Sequence, residues 1–154
     1  MKFKAYLSGP ITGLSFDDAI NWTDYAKKEL AKYDINGYRP LRGKKKLLGD
    51  IKELSAQGYL HTSISNPKAI VARDSYDVFS SDCLLVNLLD AKRVSIGTCY
   101  EMAWAWQARK PIVLVMEKQG NIHDHGFVTE CCSYHVETLD EGTHIVNLIL
   151  NDND

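Results

Sequence analysis

The segment Ser95-Ile-Gly-Thr-Cys-Tyr-Glu101 carries the residue types best suited to chemistry in this chain. It follows a hydrophobic run and precedes the apolar stretch 102–106, so Glu101 is a carboxylate at the head of an otherwise apolar helix. Two interpretations are open. Thr98-x-x-Glu101 is a capping box in which the glutamate binds a backbone N–H. Alternatively, the helix N-terminus lowers the pKa of Glu101, and its carboxylate attacks a sugar carbon as a nucleophile, while Gly97 lets a substrate approach the backbone closely.

Two other residues could assist such a glutamate. Asp74 could supply the second carboxylate that glycosidic chemistry requires, since a neighbouring acid assists departure of the leaving group. Asp74, Asp77 and Asp82 could equally be solvated helix charges, and we keep that interpretation for Asp77 and Asp82. Tyr6 is either a half-buried core tyrosine or a hydroxyl donor that orients Glu101.

Other reactive patterns are weak or missing in this sequence. His123-Asp-His125 lacks a third ligand for zinc, so we expect no metal and interpret the segment as a loop that makes polar contacts with a ligand. Phosphate-binding and dinucleotide glycine motifs are absent from the sequence, which disfavours ATP and NAD as cofactors. No Gly-x-Ser-x-Gly elbow indicates a serine hydrolase. We therefore expect an enzyme that uses no cofactor.

The composition is ordinary for a globular protein of 154 residues, with 45% hydrophobic and 25% charged residues. This length suits a single domain over residues 1–154. The net charge of −2 gives no electrostatic reason to expect a nucleic acid polymer or a membrane as a partner. No secretory signal or membrane-spanning run is recognised, and the four cysteines form no Cys-x-x-Cys pair. We therefore expect reduced thiols in a cytoplasmic protein.

Hydrophobic periodicity predicts strands that alternate with helices. Helix starts are indicated by Ser15-x-x-Asp18 and by Asn66 before Pro67, while Asn36-Gly37 should end the first helical unit. The helix from Pro67 should turn an apolar face inward, formed by Ile70, Val71, Tyr76, Val78 and Phe79. Strands are predicted at 3–8, 38–41, 83–89, 111–116 and 134–137, and helices at about 16–33, from 67, at about 98–109, at 139–150 and, as a short helix, at 123–132.

This alternation predicts an α/β fold, a doubly wound five-stranded parallel sheet with helices on both faces. Ligands bind such sheets beyond the carboxyl ends of the strands, so loops 9–13, 90–98 and 117–125 should converge there. Residues 42–66 have weak periodicity and are either a solvated insertion or a flap over the substrate.

Taken in order, three segments resemble the nucleoside 2-deoxyribosyltransferase family. The first is Tyr6-Leu-Ser-Gly-Pro-Ile-Thr-Gly13, in which we expect Ser8, Gly9 and Ile11 to contact substrate. The second is the acidic helix from Arg73-Asp74 through Ser81-Asp82. The third is Ser95–Glu101 with the Ala-rich helix and Lys110-Pro111 behind it.

The resemblance implies a flavodoxin-like fold and a homo-oligomer whose sites are completed across subunits. It implies that Glu101 attacks C1′ of a 2′-deoxynucleoside, that Asp74 binds substrate and assists proton transfer at the base, and that Tyr6 holds the nucleophile. Another base then captures the deoxyribosyl-enzyme with retention of configuration.

The sequence departs from the family pattern at two places. Ser95 stands where the transferases often carry an aspartate, and it resembles the sister group of 2′-deoxynucleoside 5′-monophosphate N-glycosidases, in which a serine contacts the phosphate. His123 and His125 lie near where the family supplies a residue across the subunit interface, without the asparagine usual in transferases. Transfer to a base, transfer to water, and a nucleotide-binding module without turnover all remain open.

Overall fold

The computed structural model describes residues 1–12, 14–40 and 66–151, apart from the side chain of Phe16. Within these ranges, five strands pair in parallel in the order β2-β1-β3-β4-β5. This confirms the predicted α/β sheet, and the strand order is that of flavodoxin-like folds. The strands are β1 (Phe3–Ser8), β2 (Ile35–Tyr38), β3 (Cys83–Asn87), β4 (Ile112–Val115) and β5 (Tyr134–Val136), and the helices are α1 (Phe16–Ala31), α2 (Pro67–Ser80), α3 (Ile96–Gln107), α4 (Gly126–Glu130) and α5 (Leu139–Asn151).

Helices cover both faces of the sheet and bury a hydrophobic core on each. Helices α1 and α5 pack together on one face, where Ala5 and Leu7 of β1 point. Helices α2 and α3 pack together on the other face, where Tyr6 of β1 points. Because side chains alternate along a strand, β1 divides its residues between the two cores. Among the described residues, no helix combines the length and the apolar character that crossing a membrane requires.

Local sequence signals explain where the helices begin. The Ser15 side chain caps α1 by accepting from the Asp18 N–H at 3.1 Å. Asn66 caps α2 by accepting from the Ala69 N–H at 2.9 Å, with Pro67 in the first turn. Both caps satisfy N–H groups that have no partner within the helix, as the sequence predicted.

The second strand lies earlier in the chain than predicted. Asn36-Gly37 belongs to β2, which pairs with β1 from Phe3 opposite Ile35 to Tyr6 opposite Tyr38. Gly37 is buried in close contact with Leu7 and Lys27, so the glycine serves close packing here and forms no turn. The predicted strand end at Leu41 and nearly all of the predicted flap at 42–66 lie outside the described residues.

The prediction for the inner face of α2 was right for Val78 but wrong for Val71, Tyr76 and Phe79. The side chains of Val71, Tyr76 and Phe79 are 54%, 70% and 49% exposed, and of the five predicted residues only Val78 is fully buried. Asp74 and Asp77 are buried instead, so Asp77 is not a solvated charge. Asp82 is exposed and accepts from the Lys4 N–H at 2.8 Å. The face of α2 that packs inward therefore carries carboxylates.

Candidate functional site

Strand β1 places two hydroxyl groups on the face of the sheet that α2 and α3 cover. Tyr6 and Ser8 are two residues apart, so they point to the same side, and both are fully buried. They stand beside Leu84 and Val86 of β3 in the parallel register. The first strand therefore presents two hydroxyl donors toward α3.

Glu101 lies opposite these hydroxyls and is 6% exposed. The Tyr6 hydroxyl donates to its Oε1 at 2.8 Å, and the Ser8 hydroxyl donates to its Oε2. Each carboxylate oxygen thus has one hydroxyl partner from β1. Sequence reasoning assigned this contact to Tyr6 and gave Ser8 only a role toward substrate, although the two-residue spacing on one strand could have indicated both.

The capping-box interpretation of Glu101 was wrong. Helix α3 begins at Ile96, so Glu101 is its sixth residue and lies in the second turn. The capping residue is Ser95, whose hydroxyl accepts from the Thr98 N–H at 3.4 Å and lies 2.9 Å from the Thr98 hydroxyl. The free N–H groups of the first turn are therefore too early in the helix to bind the Glu101 carboxylate.

The expectation of a lowered pKa for Glu101 was also wrong. Burial raises the pKa of this carboxyl from 4.5 to about 8, against the opposing effect of the hydrogen bonds from Ser8 and Tyr6. The negative charge of Asp74 raises it further. The pKa of Tyr6 is raised well above its usual value, first by burial and then by the charges of Glu101 and Asp74. Desolvation outweighs the helix dipole because Glu101 lies beyond the first turn and away from water.

Asp74 reaches the same side of the sheet from α2. It is 8% exposed, and its Oδ1 accepts from the Arg73 guanidinium, from Nε at 3.0 Å and from one terminal nitrogen at 2.7 Å. Its charge raises the pKa of both Tyr6 and Glu101. Two carboxylates and a tyrosine are therefore electrostatically coupled in a poorly solvated region, an arrangement common at functional sites.

The N-terminus of α3 is open beside this cluster. Ile96 and Gly97 are exposed, and an added Cβ at Gly97 would meet no atom within 4 Å. Exposed N–H groups in the first turn of a helix are suited to bind an anion. Ser95 and Gly97 therefore border a surface that a ligand can reach.

The two histidines of loop 117–125 do not converge on one point. His123 is 2% exposed, and its Nε2 accepts from the Ser95 N–H at 2.8 Å. His125 is exposed and caps α4, with its Nδ1 accepting from the Phe127 N–H at 3.2 Å. In the part of the chain that the structure describes, no group of three or more His, Cys, Asp or Glu side chains is arranged to hold a metal ion. Contact of either histidine with substrate stays a prediction.

Gly9 and Ile11 lie at the end of β1, where the chain turns toward α1. An added Cβ at Gly9 would come within 2.9 Å of the Asn87 carbonyl and 3.0 Å of the Trp22 ring, so only glycine fits there without displacement. Ile11 borders a small cavity on the α1 side of the sheet, together with Leu7, Gly9, Ala19, Trp22, Thr23, Arg39 and Pro40.

Comparison with known proteins agrees with this fold. A family model described as nucleoside 2-deoxyribosyltransferase matches residues 5–145. No curated protein matches the sequence. A solved 2-deoxyribosyltransferase from the psychrotolerant bacterium Bacillus psychrosaccharolyticus is similar with a TM-score of 0.63 and 14% identity, over 90% of this chain and 88% of that chain.

Two other solved structures are similar over nearly their whole length. The CMP N-glycosidase of Clostridium botulinum has a TM-score of 0.56 and 13% identity, over 94% of this chain and 98% of that chain. The molybdenum cofactor binding protein of the phototrophic bacterium Rippkaea orientalis has a TM-score of 0.60 and 15% identity, over 98% of this chain and 99% of that chain. At these identities the likeness establishes the fold, and the same fold serves both catalysis and binding.

Proposed function

The chain belongs to the nucleoside 2-deoxyribosyltransferase family, and we propose that it transfers deoxyribose between nucleobases through a covalent deoxyribosyl–Glu101 intermediate. The observation that supports this most directly is the buried Glu101 carboxyl with Tyr6 and Ser8 on its two oxygens. Such a pair of donors holds the carboxylate in one orientation, as an attacking oxygen requires.

In the first step, an oxygen of ionised Glu101 attacks C1′ of a 2′-deoxynucleoside. A C1′–O bond forms while the C1′–N bond breaks, and the electron pair of that bond leaves with the base. Asp74 donates or relays a proton to the departing base, because it is the second carboxylate coupled to Glu101. The Arg73 guanidinium fixes one oxygen of Asp74 during this step.

In the second step, a nitrogen of another base attacks C1′ and the ester bond to Glu101 breaks. The carboxylate is regenerated, and the proton lost by the incoming base returns to Asp74. Two successive inversions at C1′ give overall retention of configuration, and base departure before base entry gives ping-pong kinetics. The hydroxyls of Tyr6 and Ser8 receive the released carboxylate in its original orientation.

Intact-protein mass spectrometry after mixing with a deoxynucleoside tests this proposal. The wild-type chain should gain the mass of one deoxyribosyl unit, which should disappear when a second free base is added. Glu101→Gln should show no adduct, and Glu130→Gln, an exposed glutamate on α4, is the matched control. A wild-type adduct on a peptide that does not contain Glu101 would contradict the mechanism.

A second candidate is N-glycosidase action on 2′-deoxynucleoside 5′-monophosphates, with water as acceptor. It is supported by Ser95 as the cap of α3 and by the exposed residues Ile96 and Gly97 in the first turn, because N–H groups of a first helical turn are suited to bind a phosphate. Incubating a deoxynucleoside or its monophosphate with a second base separates the candidates. The exchanged nucleoside supports transfer, whereas only free sugar phosphate supports hydrolysis.

A third candidate is a nucleotide-binding module without turnover, in line with the fold of the Rippkaea protein. Absence of any turnover by the wild-type chain, with ligand binding unaffected in Glu101→Gln, would favour this candidate. Complete loss of a measurable wild-type activity in Glu101→Gln would exclude it.

We further propose that the chain works as a homo-oligomer in cytoplasmic nucleotide salvage. The α2 and α3 layer and the neighbouring α4 expose large apolar side chains, which a second copy of the chain would cover. In the family such contacts complete the site, and we assign that contact to loop 117–125 through His125, which is exposed, whereas His123 is buried within its own chain. The exposed side chains are Tyr76 (70%), Ile96 (70%), Tyr100 (60%), Trp106 (61%) and Phe127 (84%).

A further inference from the structure

A chain of hydrogen bonds joins loop 117–125 to the turn after β3. The Glu117 carboxylate accepts from the Asp90 N–H at 2.8 Å with one oxygen and from Asn121 Nδ2 at 2.6 Å with the other. Asn121 Nδ2 also donates to the Leu88 carbonyl at 2.7 Å. Asp90 has a positive φ of 56°, so these bonds hold a strained turn in place.

The orientation of the Asn121 amide fixes the state of His123. Since Asn121 Nδ2 faces two acceptors, its Oδ1 must face donors, and it accepts from the His123 N–H at 2.8 Å. His123 Nδ1 lies 3.3 Å from the same oxygen and is therefore the protonated ring nitrogen. Nε2 is then free to accept from the Ser95 N–H at 2.8 Å. The ring is a neutral imidazole with its proton on Nδ1.

Ser95 connects this chain of bonds to the reactive carboxyl. It is the cap of α3, so the bond from its N–H to His123 fixes the start of the helix that carries Gly97 and Glu101. A second proton on His123 would place an N–H donor against the Ser95 N–H donor. The bond would then be lost, and the partly buried Ser95 amide would lose its acceptor.

We propose that His123 is a positioning residue: its neutral ring anchors the N-terminus of α3, and protonation releases this anchor and misplaces Glu101. The inference rests on the proposed function only for its effect on turnover, because the anchor itself is a structural property. It also gives His123 a different task from the substrate contact expected from the sequence.

The surroundings of His123 favour the neutral ring. Burial lowers the pKa of His123, so protonation requires acid conditions. Glu117 is linked to His123 through Asn121, and Asp124 follows His123 on the same loop. The turn that leads to Ser95 carries Asp90, Lys92 and Arg93, while the start of α3 contributes the uncharged Ser95 and Thr98.

The direct test is nuclear magnetic resonance of the wild-type protein. At neutral pH, ¹⁵N shifts should show His123 protonated on Nδ1 alone, and the Ser95 amide should be protected from hydrogen exchange. As His123 titrates in acid, the protection factor of the Ser95 amide should fall with the same midpoint. A proton on Nε2 at neutral pH would overturn the proposal. It would also be overturned if the hydrogen-exchange protection of the Ser95 amide did not change as His123 titrates.

Three variants connect this anchor to turnover. His123→Phe removes the acceptor, and kcat should fall by about ten- to a hundred-fold, with a smaller change in KM, as expected for a displaced nucleophile. His123→Gln offers an amide oxygen that cannot be protonated, so it should restore most of kcat. His144→Gln, an exposed histidine on α5, is the control and should match wild type.

The pH profile distinguishes anchoring from mere folding. In acid, log kcat/KM of the wild type should fall with a slope of about two where both Glu101 and His123 bind protons, and with a slope of about one in His123→Gln. Equal slopes in the wild type and in His123→Gln would refute the positioning role. So would a wild-type kcat in His123→Phe together with a Ser95 amide that is still protected from hydrogen exchange. If the wild type forms no deoxyribosyl adduct, the proposed function fails. The nuclear magnetic resonance data still test whether neutral His123 anchors α3 through the Ser95 amide.

Discussion

The raised pKa of Glu101 predicts that the nucleophile destabilises the folded protein as the pH rises. Burial raises the pKa of this carboxyl to about 8 in the folded protein, whereas its ordinary pKa of 4.5 applies once unfolding returns it to water. Between these values the folded state holds a proton that the unfolded state has lost, so the free energy of unfolding falls with rising pH. Through this group, the free energy of unfolding falls by about 1.4 kcal/mol per pH unit. Over the whole pH range between the two pKa values, the loss is roughly 5 kcal/mol at most.

Glu101→Gln removes this titration while keeping the shape of the side chain and groups that can bond to Tyr6 and Ser8. The variant should be about as stable as wild type near pH 5 and should gain about 1.4 kcal/mol over it for each further pH unit, up to about pH 8. Above the folded pKa the difference should stay constant, because both states of the wild type are then ionised. The same variant should lack turnover.

Urea unfolding followed by circular dichroism measures this difference, at half-unit pH steps and constant ionic strength. Glu130→Gln is the matched control, because its side chain is exposed and its stability difference from wild type should not change with pH. Asp74→Asn should lower the pKa of Glu101 in the folded protein, because it removes a neighbouring negative charge. The pH range over which stability falls should then be narrower. A Glu101→Gln difference that stays constant from about pH 5 to about pH 8 would show an ordinary pKa and refute the reasoning.

Three further predictions concern the hydroxyl donors, the phosphate environment and the exposed apolar face. Tyr6→Phe removes one donor to Glu101 and should lower the single-turnover rate by about ten-fold or more; an unchanged rate would count against its orienting role. Ser95→Asp keeps a good helix cap but adds a negative charge, so kcat/KM should fall further for monophosphates than for nucleosides, and an equal loss would remove Ser95 from phosphate recognition. Phe127→Asp should shift sedimentation velocity toward smaller species, and an unchanged distribution would place the interface elsewhere.

Local signals were sufficient for most of the helices and strands. Ser15 and Asn66 cap α1 and α2 where the sequence predicted, because capping depends on residues within one turn. The apolar strands β3 and β4 were recognised for a similar reason, since strands buried on both faces have continuous hydrophobic sequences. The segment 35–38 was misjudged because Asn-Gly is typical of turns, and its pairing with β1 depends on residues more than 30 positions away.

Glu101 shows the limit of the same reasoning at the site. The sequence identified the glutamate and Tyr6, and the hydrogen bond between them is present, although its catalytic role stays a prediction. The boundary of α3 at Ile96 was predicted two residues too late, and this error placed Glu101 in the first turn. An argument from the helix dipole then gave the wrong direction for its pKa.

The sequence by itself determined the order of strands and helices, the parallel α/β fold and the family, because these depend on periodicity and on short ordered motifs. Only the tertiary structure decided that Ser8 shares Glu101 with Tyr6, that Asp77 is buried, and that His123 binds the Ser95 amide. Burial and hydrogen-bond partners are set by every segment that surrounds a side chain. The protonation of Glu101 is therefore a property of the assembled fold, since desolvation by neighbours distant in the chain determines it.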